Sequence, residues 1–377
     1  MPASRASGPT RAPRRWARMA KAVELEVAGR PVRLTNPAKP LWPGTHPATR
    51  GGITKLELAR YYAAVAPALL PHLDGRPLTL TRFPDGIGGK AFYQKRLPKH
   101  APSWLQRSPV AHGEGEPIPY LVARSAADLV WLAQMAALEL HPWHARAEAP
   151  DFPDRLVFDL DPAPPSGLAE SRRVALLLRR ALDELGLEGF PKYSGASGLH
   201  VVLALEPRRY TYQVTAGFVE ALGRLLVRLA PDRITQERLI RRRTGRVYID
   251  HGQNLRGKTV VAPYSPRPLP GAPVSTPVTW EELADGGSGP IPLRTMPARL
   301  QEVGDLWRPL LTRPQALEHA LQILAPHLLA EIAPRDGGAA QADAGYARTT
   351  RSWRSTSSKV RSSTVTKRWI RPPSTRV

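Results

Sequence analysis

The chain has 377 residues, 42% of them hydrophobic, a formal charge of +22 and no cysteine. That length and apolar share allow a core of one large domain or two packed lobes. Without cysteine, disulfides and thiolate-bound zinc or iron–sulfur centres are excluded, and without a run of 18 apolar residues or an apolar signal core near the start the chain is expected to be soluble and cytoplasmic.

Residues 1–22 carry six Arg or Lys and no acid, residues 341–377 carry nine and one, so the two ends hold 14 of the net charges and the centre keeps +8. Both ends lack apolar periodicity. Residues 1–22 read as a disordered basic arm and 336–377 as a disordered Ser/Arg-rich tail, able to add sequence-independent attraction for nucleic acid. Residues 23–335 are the expected folded domain. In it, VELEVAGRPVRLTN alternates apolar and polar residues about Gly-Arg-Pro and predicts a hairpin. Residues 54–73 predict a helix with Thr54 as N-cap, Glu57 in the capping-box position, and Leu56, Ala59, Tyr62 or Ala63 and Ala66 on one face. RPLTLTRFPDG reads as strand and turn, residues 90–119 as loop, and DLVWLAQMAALELH, ending at His141, as a buried helix. LVFDLDP, at 156–162, is a strand that proline stops; GLAESRRVALLLRRALDELG is an amphipathic helix, followed by strand FPKYS, turn SGASGLH and strand VVLAL. A helix at 212–230, strand VYID, a proline-rich stretch at 268–314 and a last helix at 315–333 complete the order. No internal repeat is visible. The alternation predicts a mixed α/β (α+β) body in which acidic strand ends and a glycine-serine turn converge on one cleft.

The chemistry starts in LVFDLDP. On a strand Leu156, Phe158 and Leu160 take one face and Val157, Asp159 and Asp161 the other, so two carboxylates stand side by side. Adjacent anions resist burial unless a cation joins them, and an oxygen-seeking divalent ion is the natural partner. Asp250 ends VYID as Asp161 ends LVFDLD; three such acids suit two octahedral ions that clamp the oxygens of a phosphoryl displacement. Taken singly, each aspartate is more readily a solvated edge, capping or loop residue. The turn 194–200 gathers Ser194, Gly195, Ser197, Gly198 and His200, glycines letting N–H groups approach phosphate and hydroxyls and imidazole adding donors; an ordinary hairpin turn is the plainer alternative. GQNLRGKT, residues 252–259, spells a P-loop, yet it runs into Val-Val-Ala-Pro-Tyr-Ser-Pro, where no helix can begin, so the match is a decoy. Lys258 and Arg267 remain candidate phosphate ligands from an extended segment. Phe92 and Tyr93, set among Lys90, Lys95 and Arg96, suit stacking on unpaired bases, although packing under a loop is the plainer reading of the pair alone.

Four blocks, RFPDGIGGKAFYQK, LVFDLDP, SGASGLHV and YIDHGQNLRGKTVVAPYSPR, resemble the polymerase domain of bacterial ATP-dependent DNA ligase D, a branch of the archaeo-eukaryotic primase superfamily, over about residues 36–307. The resemblance implies a two-lobed primase-polymerase-like body with mixed and antiparallel sheets and an RRM-like catalytic half. It implies that Asp159, Asp161 and Asp250 are catalytic acids holding two Mn2+ or Mg2+ ions, and that His141, Ser194, Gly195, Ser197, Gly198, His200, Gln253, Lys258 and Arg267 hold an NTP or dNTP. Lys39 and Lys55 match positions that grip a 5′-phosphate, Arg82, Phe92 and Tyr93 others that meet DNA, and Arg243 lies in a loop that helps hold two ends. The implied work is template-dependent primer extension and gap filling, with ribonucleotides preferred, at broken or gapped DNA during end joining with Ku. The protein is then a monomer, or an end-bridging dimer on DNA, near the nucleoid. Pro40 and His251 stand where the family more often has Val and Trp, and no K-x-D-G occurs, so a stand-alone polymerase domain served by a separate ATP-dependent ligase is expected. The rival readings are a P-loop NTPase built on GQNLRGKT and a non-catalytic DNA-end-binding module.

Overall fold

The computed structural model describes residues 21–287 and 289–332. The expected tail, and the expected arm but for residues 21 and 22, lie outside the described residues. One unit runs through Leu328; of the second, Leu329–Val377, only the first four residues are described, and they are helical.

The chain opens with the predicted hairpin, β1 (Ala22–Val27) and β2 (Arg30–Thr35), paired antiparallel. Its turn is Ala28-Gly29, one step before the Gly-Arg-Pro expected, because both central positions take φ of 51° and 70° and only a pair tolerant of positive φ fits. A short pair, β3 (Pro40–Trp42) and β4 (Ile53–Thr54), leads into α1 (Lys55–Leu73). Thr54 caps it as predicted, accepting from the Glu57 amide at 3.3 Å, but the Glu57 carboxylate pairs with Arg294 at 2.6 Å instead of closing the box. The buried face includes the predicted Ala59, Tyr62 and Ala66 together with Leu58, Val65 and Leu69, while Leu56 is only partly buried.

β5 (Leu78–Arg82) is the centre of the first five-stranded sheet, completed by β6 (Phe92–Gln94), β7 (Gln106–Val110), β8 (Ile118–Val122) and, after α2 (Ala126–Gln134), β9 (Ala137–Pro142). Two expectations fail here. The supposed loop at 90–119 contains strands, and the supposed helix through His141 ends at Gln134. Ala136 takes φ of 51°, which breaks the helix, and the following residues gain ladder bonds and cross-strand packing with β5, so tertiary pairing overrides local helix preference.

The second sheet is built from β10 (Arg155–Pro162), α3 (Leu168–Glu184), β11 (Phe190–Tyr193), β12 (Leu199–Ala204), α4 (Tyr212–Leu229), β13 (Ile234–Thr235) and β14 (Val247–Ile249). Its order is β11-β12-β10-β14-β13, antiparallel throughout except for β13 with β14. The apolar face of β10 packs on helices, Phe158 meeting Phe218 of α4 edge-on at 6.3 Å. On the opposite face Val157 is covered by Trp307 and Leu310. The proline-rich stretch carries two short helices, α5 (Trp280–Ala284) and α6 (Met296–Val303), and α7 (Glu318–Ile332) closes the described chain. The antiparallel and mixed sheets make the mixed α/β class that the sequence predicts.

Buried Arg76 pairs with Asp154 at 2.6 Å, and His144, also buried, donates Nε2–H to the Gln253 carbonyl at 3.1 Å. Burial first, then Arg76 and Arg155, lower the His144 pKa to about 3. The unfolded chain therefore takes up a proton that the folded one refuses as pH falls from about 6.5 towards 3, and stability is lost over that window. Urea denaturation at pH 7.5 and pH 5 should show His144 costing on the order of 2 kcal/mol at the lower pH, and His144→Gln should flatten this part of the curve. An unchanged acid limb in the variant refutes the assignment.

Candidate active site

Sheet register, not sequence proximity, assembles the cleft. Asp159 on β10 lies opposite His200 on β12, which in turn lies opposite Lys192 on β11. On the other side the Asp250 amide donates to the Asp159 carbonyl at 3.1 Å. One row therefore crosses the sheet as Lys192, His200, Asp159 and Asp250, with Asp161 two residues along β10 on the Asp159 face.

His200 Nε2 lies 3.2 Å from Asp159 Oδ1. Burial, then Lys192 and Arg267, hold the His200 pKa well below its ordinary value, so the ring is neutral; its Nδ1 is buried without a hydrogen-bond partner among the described residues. Asp159 is buried and its pKa is pushed up to about 7, by burial first and then by Asp250. Asp161 retains an exposed surface at the mouth, yet protein surrounds it closely enough that burial, then Asp159, then Asp250, raise its pKa to about 7 as well. Asp250 is turned towards its own loop, accepting from Tyr248 Oη at 3.1 Å, the Gly252 amide at 2.9 Å and Gln253 Nε2 at 3.1 Å. It is thus the cap of a 3-10 turn (His251–Asn254) and a neighbour of the paired acids at once. Among the described residues no group of three or more His, Asp and Glu is arranged to hold a metal ion. The donor set nonetheless fits one in kind: hard carboxylate oxygens on one face, whose pKa values burial and then mutual repulsion raise.

The turn after β11 presses against these acids. The Ser194 amide donates to the Gly198 carbonyl at 3.0 Å and Ser194 Oγ accepts from the Ala196 amide at 3.2 Å. Gly195 takes φ of 82° and a Cβ there would fall 2.6 Å from Arg267 Cγ; a Cβ on Gly198 would collide with the Leu160 carbonyl and sit 3.3 Å from Asp161 Oδ1. Both glycines are therefore required by close approach. Ser197 is exposed at the tip. Arg267 donates Nη1–H to the Ser194 carbonyl at 3.0 Å and pairs through Nε with Glu139 Oε1 at 2.7 Å. Glu139 Oε2 lies 3.5 Å from His141 Nε2, and Thr81 Oγ1 3.3 Å from the same nitrogen. His141 thus faces the cleft from a strand, not from a helix end. Lys258 is exposed beyond the 3-10 turn, and the next α-helix after Thr259 is α5, so the P-loop letters have no P-loop structure.

A second cationic group forms where α1 begins. Lys55 is buried, with Nζ 3.4 Å from Gln134 Oε1, and burial, then Lys39, then Arg82, lower its pKa to about 8. Lys39 pairs with Asp85 at 2.7 Å, while Arg82 is aimed by the Met135 carbonyl at 2.7 Å and Gln94 Oε1 at 2.6 Å. Phe92 and Tyr93 are exposed, but as neighbours on β6 they take opposite faces and cannot form one platform. Phe92 lies opposite Arg82, with the cationic group, and Tyr93 opposite Thr81, which is itself opposite Glu139 on the cleft side. Arg243 stacks over the Tyr248 ring, its guanidinium 3.5 Å from the centroid.

Sequence reasoning missed Lys192 and Glu139. Lys192 is fully buried, donates to Ser275 Oγ at 2.5 Å, and burial, then Arg267, hold its pKa well below the ordinary value while Asp159 opposes. The available signal was parity: Lys192 shares a strand face with Ser194. Glu139 was concealed by the mistaken helix.

Residues 54–307 match the family described as LigD, primase-polymerase domain. The multifunctional non-homologous end joining protein LigD of Pseudomonas aeruginosa is 39% identical over 310 residues, 80% of this chain and 35% of that protein. Its namesake in Mycolicibacterium smegmatis is 36% identical over 282 residues, 74% of this chain and 36% of that protein. The chain thus spans about a third of the length of these curated relatives. Among solved structures, the polymerase domain from Mycobacterium tuberculosis ligase D, in complex with DNA, superposes with a TM-score of 0.69 at 35% identity, covering 75% of this chain and 99% of that one. Among the described residues no helix is long and apolar enough to cross a membrane.

Proposed function

The chain belongs to the LigD primase-polymerase domain family, a family of nucleotidyltransferases, and from that premise we propose that it extends primers and fills gaps, by template, at broken DNA ends in non-homologous end joining. The observation that carries the reading is the placing of Asp159 and Asp161 on one strand face, beside Asp250 and against the Ser194–Gly198 turn and Arg267. Two divalent ions, Mg2+ or Mn2+, held by Asp159 and Asp161 with Asp250 alongside, would neutralise the triphosphate and lower the pKa of the primer 3′-hydroxyl.

The chain's own groups do the rest. Ser194, His200, Arg267 and the backbone of the glycine turn bind the phosphates, the neutral His200 acting as a hydrogen-bond donor and Arg267 as a fixed cation. His141, held near Glu139, lines the same side, and Gln253 and Lys258 approach from beyond Asp250. Lys39, Lys55 and Arg82 bind the 5′-phosphate across a gap, Phe92 and Tyr93 stack from the two faces of β6, and Arg243 steadies DNA at the rim. Ribonucleotide preference, Ku and an ATP-dependent ligase as partners, and a monomer or end-bridging dimer on DNA complete the proposal; the resemblance and the relatives' end-joining names support them.

The test is extension of a 5′-phosphorylated gapped duplex with ribo- and deoxynucleotides in Mg2+ and in Mn2+. Lys258→Ala should slow extension by roughly tenfold, as the loss of one charged phosphate contact does, without abolishing it. Primer-independent ATP hydrolysis that vanishes in Lys258→Ala and survives in Asp159→Ala would instead identify an NTPase.

A further inference from the structure

Between β13 and β14 the segment 237–246 carries five arginines, Arg238, Arg241, Arg242, Arg243 and Arg246, against one acid, Glu237. At its tip stand two apolar side chains, Ile240 at 78% exposure and Leu239 at 43%. Ile240 is the most exposed large hydrophobic residue among those described. An isoleucine so placed in water gains nothing from folding.

The loop is built to hold that tip outward. Arg243 donates through Nε to the Glu237 carbonyl at 2.8 Å and through Nη2 to the Arg238 carbonyl at 2.6 Å, while the Leu239 amide donates to Glu237 Oε1 at 3.1 Å. The same Arg243 stacks on Tyr248, whose hydroxyl donates to Asp250 at 3.1 Å, so the tip is tied to the carboxylate cleft through a short chain of contacts. A partner must therefore offer dense negative charge and, at its centre, a flat apolar face. Nucleic acid joins both, phosphates around a base plane, whereas an acidic protein surface offers charge without that plane.

We propose that Leu239 and Ile240 form an apolar wedge that packs on the unpaired or terminal base of DNA lying at the carboxylate cleft, with Arg238, Arg241 and Arg242 on the flanking phosphates. The inference deepens the polymerase reading and rests on it for the position of the DNA.

The experiment uses the full chain and a gapped duplex with 2-aminopurine as the template base beside the gap. Binding of the wild type should change its fluorescence. Ile240→Ser should remove most of that change and weaken gapped-DNA binding roughly tenfold, the low end of what burying an isoleucine contributes, while leaving intact-duplex affinity and the salt slope unaltered. Arg241→Ala should do the converse, reducing the slope of log K against log salt by about one. Ile240→Ser with unchanged fluorescence and affinity overturns the proposal. So does polyglutamate displacing the chain from gapped DNA as well as unlabelled gapped DNA does, through residues Ile240→Ser disables, which would identify an acidic protein partner. Primer extension in the same samples separates the two readings: wedge signal without extension sinks the polymerase assignment alone, and extension without an Ile240-dependent signal sinks the wedge alone.

Discussion

Asp159→Ala is expected to lower primer extension by roughly 10³-fold or more, the several kcal/mol that neutralising transition-state charge supplies, while gapped-DNA affinity changes by no more than about threefold. The two readouts separate because the cations proposed for DNA, Lys39, Lys55, Arg82 and Arg243, come from other elements. A third readout distinguishes a functional carboxylate from a structural one. Burial and Asp250 raise the Asp159 pKa to about 7, so the folded state holds a proton that the unfolded state releases near the ordinary carboxylate value. Folding is therefore opposed as pH rises from about 4 to 7, and the opposition is complete above 7. Asp159→Asn removes it. That variant should melt above the wild type at pH 8, the difference shrinking as pH falls towards 4, and yet be inactive. Retained extension would remove Asp159 from the chemistry, and a lower melting temperature at pH 8 would make it a structural residue. A buried anion that costs stability and supports activity is the pattern of a site strained for function.

Gly198→Ala is expected to be the most damaging single-methyl addition near the cleft. The new Cβ would collide with the Leu160 carbonyl, which belongs to the ladder of β10, and would crowd Asp161 Oδ1 at 3.3 Å. Neither neighbour can withdraw cheaply, since the backbone of β10 is paired on both sides. Overpacking of this kind costs typically about 1–3 kcal/mol, and the displaced turn should also raise KM for the nucleotide and lower kcat. Gly217→Ala is the control: that glycine lies inside α4 with nothing within 4 Å of an added Cβ, and the change should stabilise by about 0.5–1 kcal/mol. Chemical denaturation of both variants, with extension kinetics, checks the pair. A Gly198→Ala protein as stable and active as the wild type would show that the turn has room it is not expected to have.

How far each feature was legible follows from the range of the interaction that decides it. LVFDLDP displayed its acidic face by two-residue alternation, Thr54 announced a helix start, and the residues after Thr259 ruled out a P-loop, because each depends on neighbours along the chain. The structure alone decided that the residues after Ala136 join β5 as a strand, that Phe92 and Tyr93 face opposite ways, and that Lys192 and Glu139 belong to the cleft. It also decided that Lys39 and Arg82 lie close enough to Lys55 to add to burial in lowering its pKa. Those outcomes come from pairing between strands far apart in sequence, where the gain of ladder bonds and the burial of a shared face outweigh local preference. Sequence period determines which way a side chain points from its own strand; only register determines what it meets there.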